Sequence, residues 1–93
     1  MKTYFVDFTG VKTYWDFYEA LREGLELPNW FGKNTDALWD MLTGYMEDPA
    51  IIRIQGLDRL PKSLSVQVER FKEVIAELPI DAPYVDYQFV FYD

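Results

Sequence analysis

Along the chain the spacing of hydrophobic positions switches between a period of two, which marks strands, and a period of 3.6, which marks helices. From Lys2 to Phe8, Tyr4, Val6 and Phe8 alternate with Phe5 and Asp7, which predicts a first strand. Thr9-Gly10 breaks it. Thr13, with Asp16 three residues on, has the form of a capping box, and Tyr14, Phe17 or Tyr18, Leu21 and Leu25 then recur at helical spacing. Pro28 limits that helix. A second helix starts with Asn34 or Thr35 as its cap and directs Leu38, Met41, Leu42 and Tyr45 toward a core. Gly44 weakens it and Pro49 ends it. Ala50 to Gln55, with Ile51, Ile52 and Ile54, predicts a central second strand closed by Gly56. Leu57 to Pro61 connects to a third helix, with Leu64, Val68, Phe71, Ile75 and Leu78 inward and Glu69, Arg70, Lys72, Glu73 and Glu77 outward. Ser63 and Ser65 suit capping roles at its start, and Pro79 is expected to stop it. From Tyr84 to Phe91, Val85, Tyr87, Phe89 and Phe91 alternate with Asp86 and Gln88 as a last strand. Every strand-to-strand connection therefore passes through helix, and such crossovers join parallel strands. The expected fold is α/β: a three-stranded parallel sheet packed with helices, in the order β-α-α-β-α-β, as one domain over residues 1–93.

Charge and chemistry narrow the function. A hydrophobic fraction of 49% with 18% aromatics supports a packed domain, and the net charge of −7 disfavours nucleic acid and favours a basic protein partner. With no His and no Cys, triads, thiolate nucleophiles and zinc sites built on those ligands are out, and no Gly-rich phosphate loop is present. Asp7 interrupts the first apolar stretch, so no leader or membrane segment is expected there, and the absence of Cys fits a reducing cytoplasm. No cofactor, metal or enzymatic activity is expected.

The chemically distinctive stretch is Leu27 to Tyr45, LPNWFGKNTDALWDMLTGY. Asp36 and Asp40 lie one turn apart on the side of the helix opposite its apolar stripe, and a like-charged pair at that spacing costs about 0.2–0.5 kcal/mol. Trp30, Phe31 and Trp39 crowd around them. On residue type alone this is a solvated face with a core edge beside it. As a surface, an acidic ridge flanked by rings suits a basic, concave partner.

The run formed by Leu27, Pro28, Trp30, Phe31, Gly32, Asn34, Asp36, Ala37, Leu38, Trp39, Asp40, Leu42, Thr43, Gly44 and Tyr45 resembles the signature segment of the barstar family, intracellular protein inhibitors of microbial ribonucleases. Outside it, the order and length of elements fit along the whole chain. The resemblance implies the barstar-like fold and an acidic plug for a ribonuclease active site. Asp40 matches the aspartate that enters the phosphate-binding pocket, Asp36 a second acidic contact, and Trp30 the aromatic that covers the active-site histidine. Phe31, Gly32, Asn34, Ala37, Trp39, Thr43, Gly44 and Tyr45 match contact or framing positions. Phe71-Lys72-Glu73 resembles the stretch that carries a further glutamate contact, which makes Glu73 the candidate.

The chain also departs from the family pattern. Trp30 and Phe31 stand where the prototype has tyrosines, Asn29 replaces an acid, Lys33 adds a positive charge, and Tyr45 replaces a tryptophan. Changes at a rim alter partner choice and association rate, as in the family's own prototype complex. The expected function is thus a monomeric, cytoplasmic inhibitor or immunity protein binding a basic ribonuclease or related toxin one to one. The alternative is an acidic binding module for a different basic protein, without ribonuclease inhibition. Association through the Trp30 and Phe31 rings is a further option, because exposed apolar patches invite it.

Overall fold

The computed structural model describes residues 1–92. In chain order the elements are β1 (Lys2–Asp7), α1 (Tyr14–Gly24), α2 (Thr35–Gly44), β2 (Ala50–Gln55), α3 (Ser65–Asp81) and β3 (Tyr87–Tyr92). Two short 3-10 turns, Leu57–Arg59 and Lys62–Leu64, link β2 to α3. The sheet has the order β1-β2-β3, with both pairings parallel and β2 central. No helix among the described residues is long and apolar enough to cross a membrane.

Alternation sends one side of the sheet into the core. Tyr4, Ile52 and Phe89 form one cross-sheet row, and Val6, Ile54 and Phe91 the next. Against this side pack Phe17, Tyr18 and Leu21 of α1, Leu38, Met41 and Leu42 of α2, and Phe71, Val74 and Leu78 of α3, all buried. Phe8 stacks on Phe17 with ring centroids 4.9 Å apart, and Phe71 meets both rings edge-on at 6.1 and 6.2 Å. Such geometries add about 0.5–1.5 kcal/mol per pair beyond simple burial. Nonpolar residues Phe5 and Val90 lie on the opposite, open side, flanking Arg53.

The capping box at α1 is complete: Thr13 Oγ1 accepts from Asp16 N–H, and Asp16 Oδ2 accepts from Thr13 N–H. Several boundaries differ from the sequence reading. Tyr14 is exposed, not core, because Tyr18 fills the inward position and Tyr14 instead donates its hydroxyl to the Lys33 carbonyl. Tyr45 is half exposed, because it lies just beyond the last turn of α2, where the helical stripe no longer sets direction. α3 runs on past Pro79 to Asp81, since a proline in the last turn forfeits only one backbone bond, and Ala82 N–H still reaches Leu78 O at 2.9 Å. Neither serine caps α3; the preceding 3-10 turn does that work, with Ser65 N–H donating to Lys62 O. β3 begins at Tyr87 because Val85 N–H turns back to Ala82 O and Asp86 N–H is taken by Asp48 Oδ2.

Candidate functional site

The turn Leu27–Lys33 and α2 form one rigid unit. Leu27 is buried, Phe31 N–H donates to Pro28 O at 3.0 Å, and Asn34 settles the cap by accepting from Ala37 N–H at 2.8 Å. Gly32 packs tightly at the junction, since a Cβ there would sit 3.0 Å from that of Ala37. Leu38, Met41 and Leu42 anchor the inner stripe of α2. At its C-terminal end, Tyr87 of β3 donates its hydroxyl to Leu42 O at 2.5 Å. Burial, reinforced by the nearby Asp48 carboxylate, pushes the Tyr87 hydroxyl up to about 12, so it stays a donor.

On the outer stripe Asp36 and Asp40 are exposed, and neither makes an ion pair with a described residue. Trp30 is the most solvent-presented ring of the segment, 69% exposed, and meets Tyr45 edge-on with centroids 6.0 Å apart. The aromatic part of the surface is therefore Trp30 with Tyr45. Phe31 is a correction: it is only 4% exposed, its ring packed 6.4 Å from that of Tyr18, so it frames the turn from below and offers no side chain to a partner or to a second copy. Thr43 spends its hydroxyl on the Trp39 carbonyl at 2.8 Å. Ala37 is half-buried against the core. A Cβ added at Gly44 would meet nothing, which leaves flat, open backbone there.

Trp39, whose angular position lies between the two stripes, is half-buried and lines a groove of about 400 Å³ between α2 and α3. Asn34, Thr35 and Asp36 form its α2 wall, while Arg70, Glu73, Val74 and Glu77 form the α3 wall. Glu73 and Asp36 thereby line opposite walls of one groove. Arg70 and Glu77 share this groove, and the sequence reading had placed them only on an outer face; spacing within α3 cannot say which part of that face meets α2.

The positive charge of Lys33 does not stand free at the rim. Its ammonium is 2.9 Å from Glu19 Oε2 and 5.2 Å from the centre of the Trp15 ring. Glu19 also accepts from Arg22 Nε at 2.7 Å. Hydrogen bonds from Arg22 and then Lys33 hold the Glu19 carboxyl at about 2, far below the usual carboxylate range. No group of three or more carboxylates among the described residues converges as a metal site.

Residues 1–91 match the family model described as Barstar (barnase inhibitor). The chain is also 32% identical over 60 residues to the Bacillus subtilis (strain 168) protein named "Putative ribonuclease inhibitor YrdF". That match covers 64% of this chain and 66% of the relative, just under two thirds of its length. With the family model spanning all but the last two residues, and with the strand order, crossovers and α2 segment described above, the chain belongs to the barstar family.

Proposed function

We propose that this protein inhibits a microbial ribonuclease by seating α2 and the preceding turn over its basic active site. The observation that carries this reading is the Asp36–Asp40 pair, held on a capped and core-anchored helix and making no ion pair with a described residue. A ribonuclease site must be cationic to hold a phosphodiester and stabilise the charge of its transition state. A carboxylate presented there takes the place of phosphate and forms charge-assisted hydrogen bonds with Arg or Lys. Asp40 is the principal anion and Asp36 the second. Trp30 covers the aromatic or histidine floor of the site, with Tyr45 bracing it, and Glu73 adds an acidic contact from α3. Because the carboxylates sit on regular structure, little ordering cost is incurred on binding. The expected complex has one inhibitor chain per ribonuclease, in a reducing cytoplasm where a chain without Cys loses nothing.

The test is RNA cleavage by a barnase-like ribonuclease, titrated with the protein and with Asp40→Ala at low and moderate salt. Stoichiometric inhibition that the variant loses, weakening as salt rises, supports the plug. Absence of inhibition by folded protein rejects ribonuclease occlusion and leaves the acidic face to another basic protein.

A further inference from the structure

The two edges of the sheet are not alike. On β1, Phe8 N–H donates to Gln55 O, so alternation turns the backbone groups of Thr3, Phe5 and Asp7 outward. That edge is covered: Gly24 at the end of α1 lies so close that a Cβ would fall 2.6 Å from Phe5 O and 2.7 Å from Val6 Cα. It also carries charge, with Lys2 paired to Glu26 at 2.9 Å and Asp7 at the far end. On β3, Asp86 O and Tyr92 O accept from Ala50 and Gly56 N–H, so the even positions face β2. The N–H and C=O groups of Tyr87, Phe89 and Phe91 therefore point away from the sheet, and no described backbone group pairs with them. The strand reads YQFVFY, six residues without charge, Pro or Gly in a chain of net charge −7. Natural sheets protect such an edge with charge, bulges, proline or a covering element. Among the described residues of the strand, 87–92, there is no charge and no proline, and no described backbone group pairs with the outward positions.

Beside the edge lies a groove of about 310 Å³, lined by Ile75, Leu78, Pro79, Val85 and Phe89, with Asp86 and Tyr87 completing its wall, and continuous with the inner side of β3. Phe91, 51% exposed, extends the same side. An added strand would find hydrogen-bond partners along the edge and, outside the Asp86 end of the groove, apolar ground for its alternate side chains.

We propose that the strand added is β3 of a second copy, antiparallel, about a two-fold axis through Phe89. Centring on Phe89 sets Tyr87 opposite Phe91 of the second copy and Gln88 opposite its Val90. The outward-pointing residues then meet as hydrogen-bonded pairs, and the inner side gains facing aromatic rings, which are favourable cross-strand partners. No like charges face each other in this register, whereas most of the surface of so acidic a chain would bring carboxylates together. The covered β1 edge decides the closure. A β3-to-β1 contact would propagate into a filament, but α1 blocks it, so the association ends at a two-fold dimer with one continuous six-stranded sheet. This replaces the monomer expected from the sequence, and moves the self-association surface from Trp30 and Phe31 to β3.

Sedimentation equilibrium across a wide concentration range, together with amide hydrogen exchange at its two ends, tests the proposal. The expected mass rises from the 11.0 kDa monomer to twice that value. Exchange at Tyr87, Phe89 and Phe91 slows at least tenfold with concentration, while Gln88, Val90 and Tyr92, already bonded to β2, do not change. Phe91→Pro removes one outward N–H without touching the β2 ladder and should keep the chain monomeric, whereas Phe5→Lys on the open side of the sheet should leave the dimer intact. A chain that stays monomeric at every concentration overturns the proposal and leaves the edge to a different strand. So does a dimer lost with Phe5→Lys, or one whose β3 amides show no alternation, which would place the contact on the sheet's open side. The exchange pattern needs no variant and decides the matter even if Phe91→Pro does not fold.

Discussion

Asp40 and Asn34 occupy the same helix but do opposite kinds of work, and substitution separates them. Asp40 is exposed and makes no ion pair with a described residue, so Asp40→Ala should change stability by no more than about ±0.5 kcal/mol, the range for surface sites without special partners. Against a cognate ribonuclease the same change should weaken binding by at least ~2 kcal/mol, the general threshold for an interface anchor. Urea unfolding and calorimetric titration read the two effects independently. An unfolded Asp40→Ala variant would make the residue structural and remove the plug. Asn34 holds the first turn through its bond to Ala37 N–H, and Asn34→Ala should cost about 1 kcal/mol of stability in the same urea experiment, as lost caps do. The exposed stripe with Asp40 was legible in the sequence and the cap was narrowed to Asn34 or Thr35, because both are local patterns; the structure selects Asn34. Phe31 and Tyr45 were not legible. The turn before α2 has no period, so nothing local tells Trp30 from Phe31; only the packing of Tyr18 behind the turn draws one ring in and leaves the other out.

At the scale of elements, α1 and β1 approach each other closely at Gly24. In a typical helix Gly→Ala gains up to about 1 kcal/mol, because glycine loses more freedom on folding. Gly24→Ala should do the reverse. The new Cβ would meet Phe5 O at 2.6 Å, Val6 Cα at 2.7 Å and Val6 Cγ2 at 2.8 Å, two of them backbone atoms in the sheet. Overpacking of this kind costs about 1–3 kcal/mol, which a lowered urea midpoint at unchanged slope would register. A stabilised variant would mean that α1 does not press on β1, and with it the covered edge that closes the dimer would go. The elements themselves were written in the sequence by period and by caps, and the three strands, three helices and their order stand as expected. What period could not supply was termination. Pro79 ends nothing because it falls in a last turn, and Tyr84 to Asp86 keep a strand's alternation while their backbone bonds go to a turn and to Asp48. Likewise the placing of Glu73 in one groove with Asp36 and Trp39 depends on how α3 is rotated against α2, a relation between elements distant in sequence.

For the molecule as a whole, the ionisable groups that folding shifts set a window of pH. Glu19, whose ordinary value is 4.5, is held at about 2 by Arg22 and Lys33, and Asp7 and Asp16 are lowered by hydrogen bonds from Thr9 and from Lys12 and Thr13. A lowered carboxyl stabilises the fold fully above its unfolded value and loses that contribution as pH falls toward its folded one. Stability should therefore decline below about pH 4.5, over the range that ends near the Glu19 value of about 2. At the other end Tyr18 and Tyr87 are raised from 10.0 to about 12, chiefly by burial. A raised tyrosine contributes fully below its unfolded value and loses that contribution as pH climbs through its folded one, so a second decline should run from about pH 10 to 12. Urea midpoints measured from acid to alkali should trace a plateau between the two. Glu19→Gln should flatten the acid limb, because the amide neither titrates nor attracts Lys33 as a carboxylate does. It should also free the Lys33 ammonium beside the α2 turn, and so slow association with a basic partner at low salt while leaving Asp36 and Asp40 in place. An acid limb unchanged in Glu19→Gln would assign the acid loss to Asp7 and Asp16 instead. An association rate unchanged at low salt would show that Lys33 lies outside the field that guides the partner in.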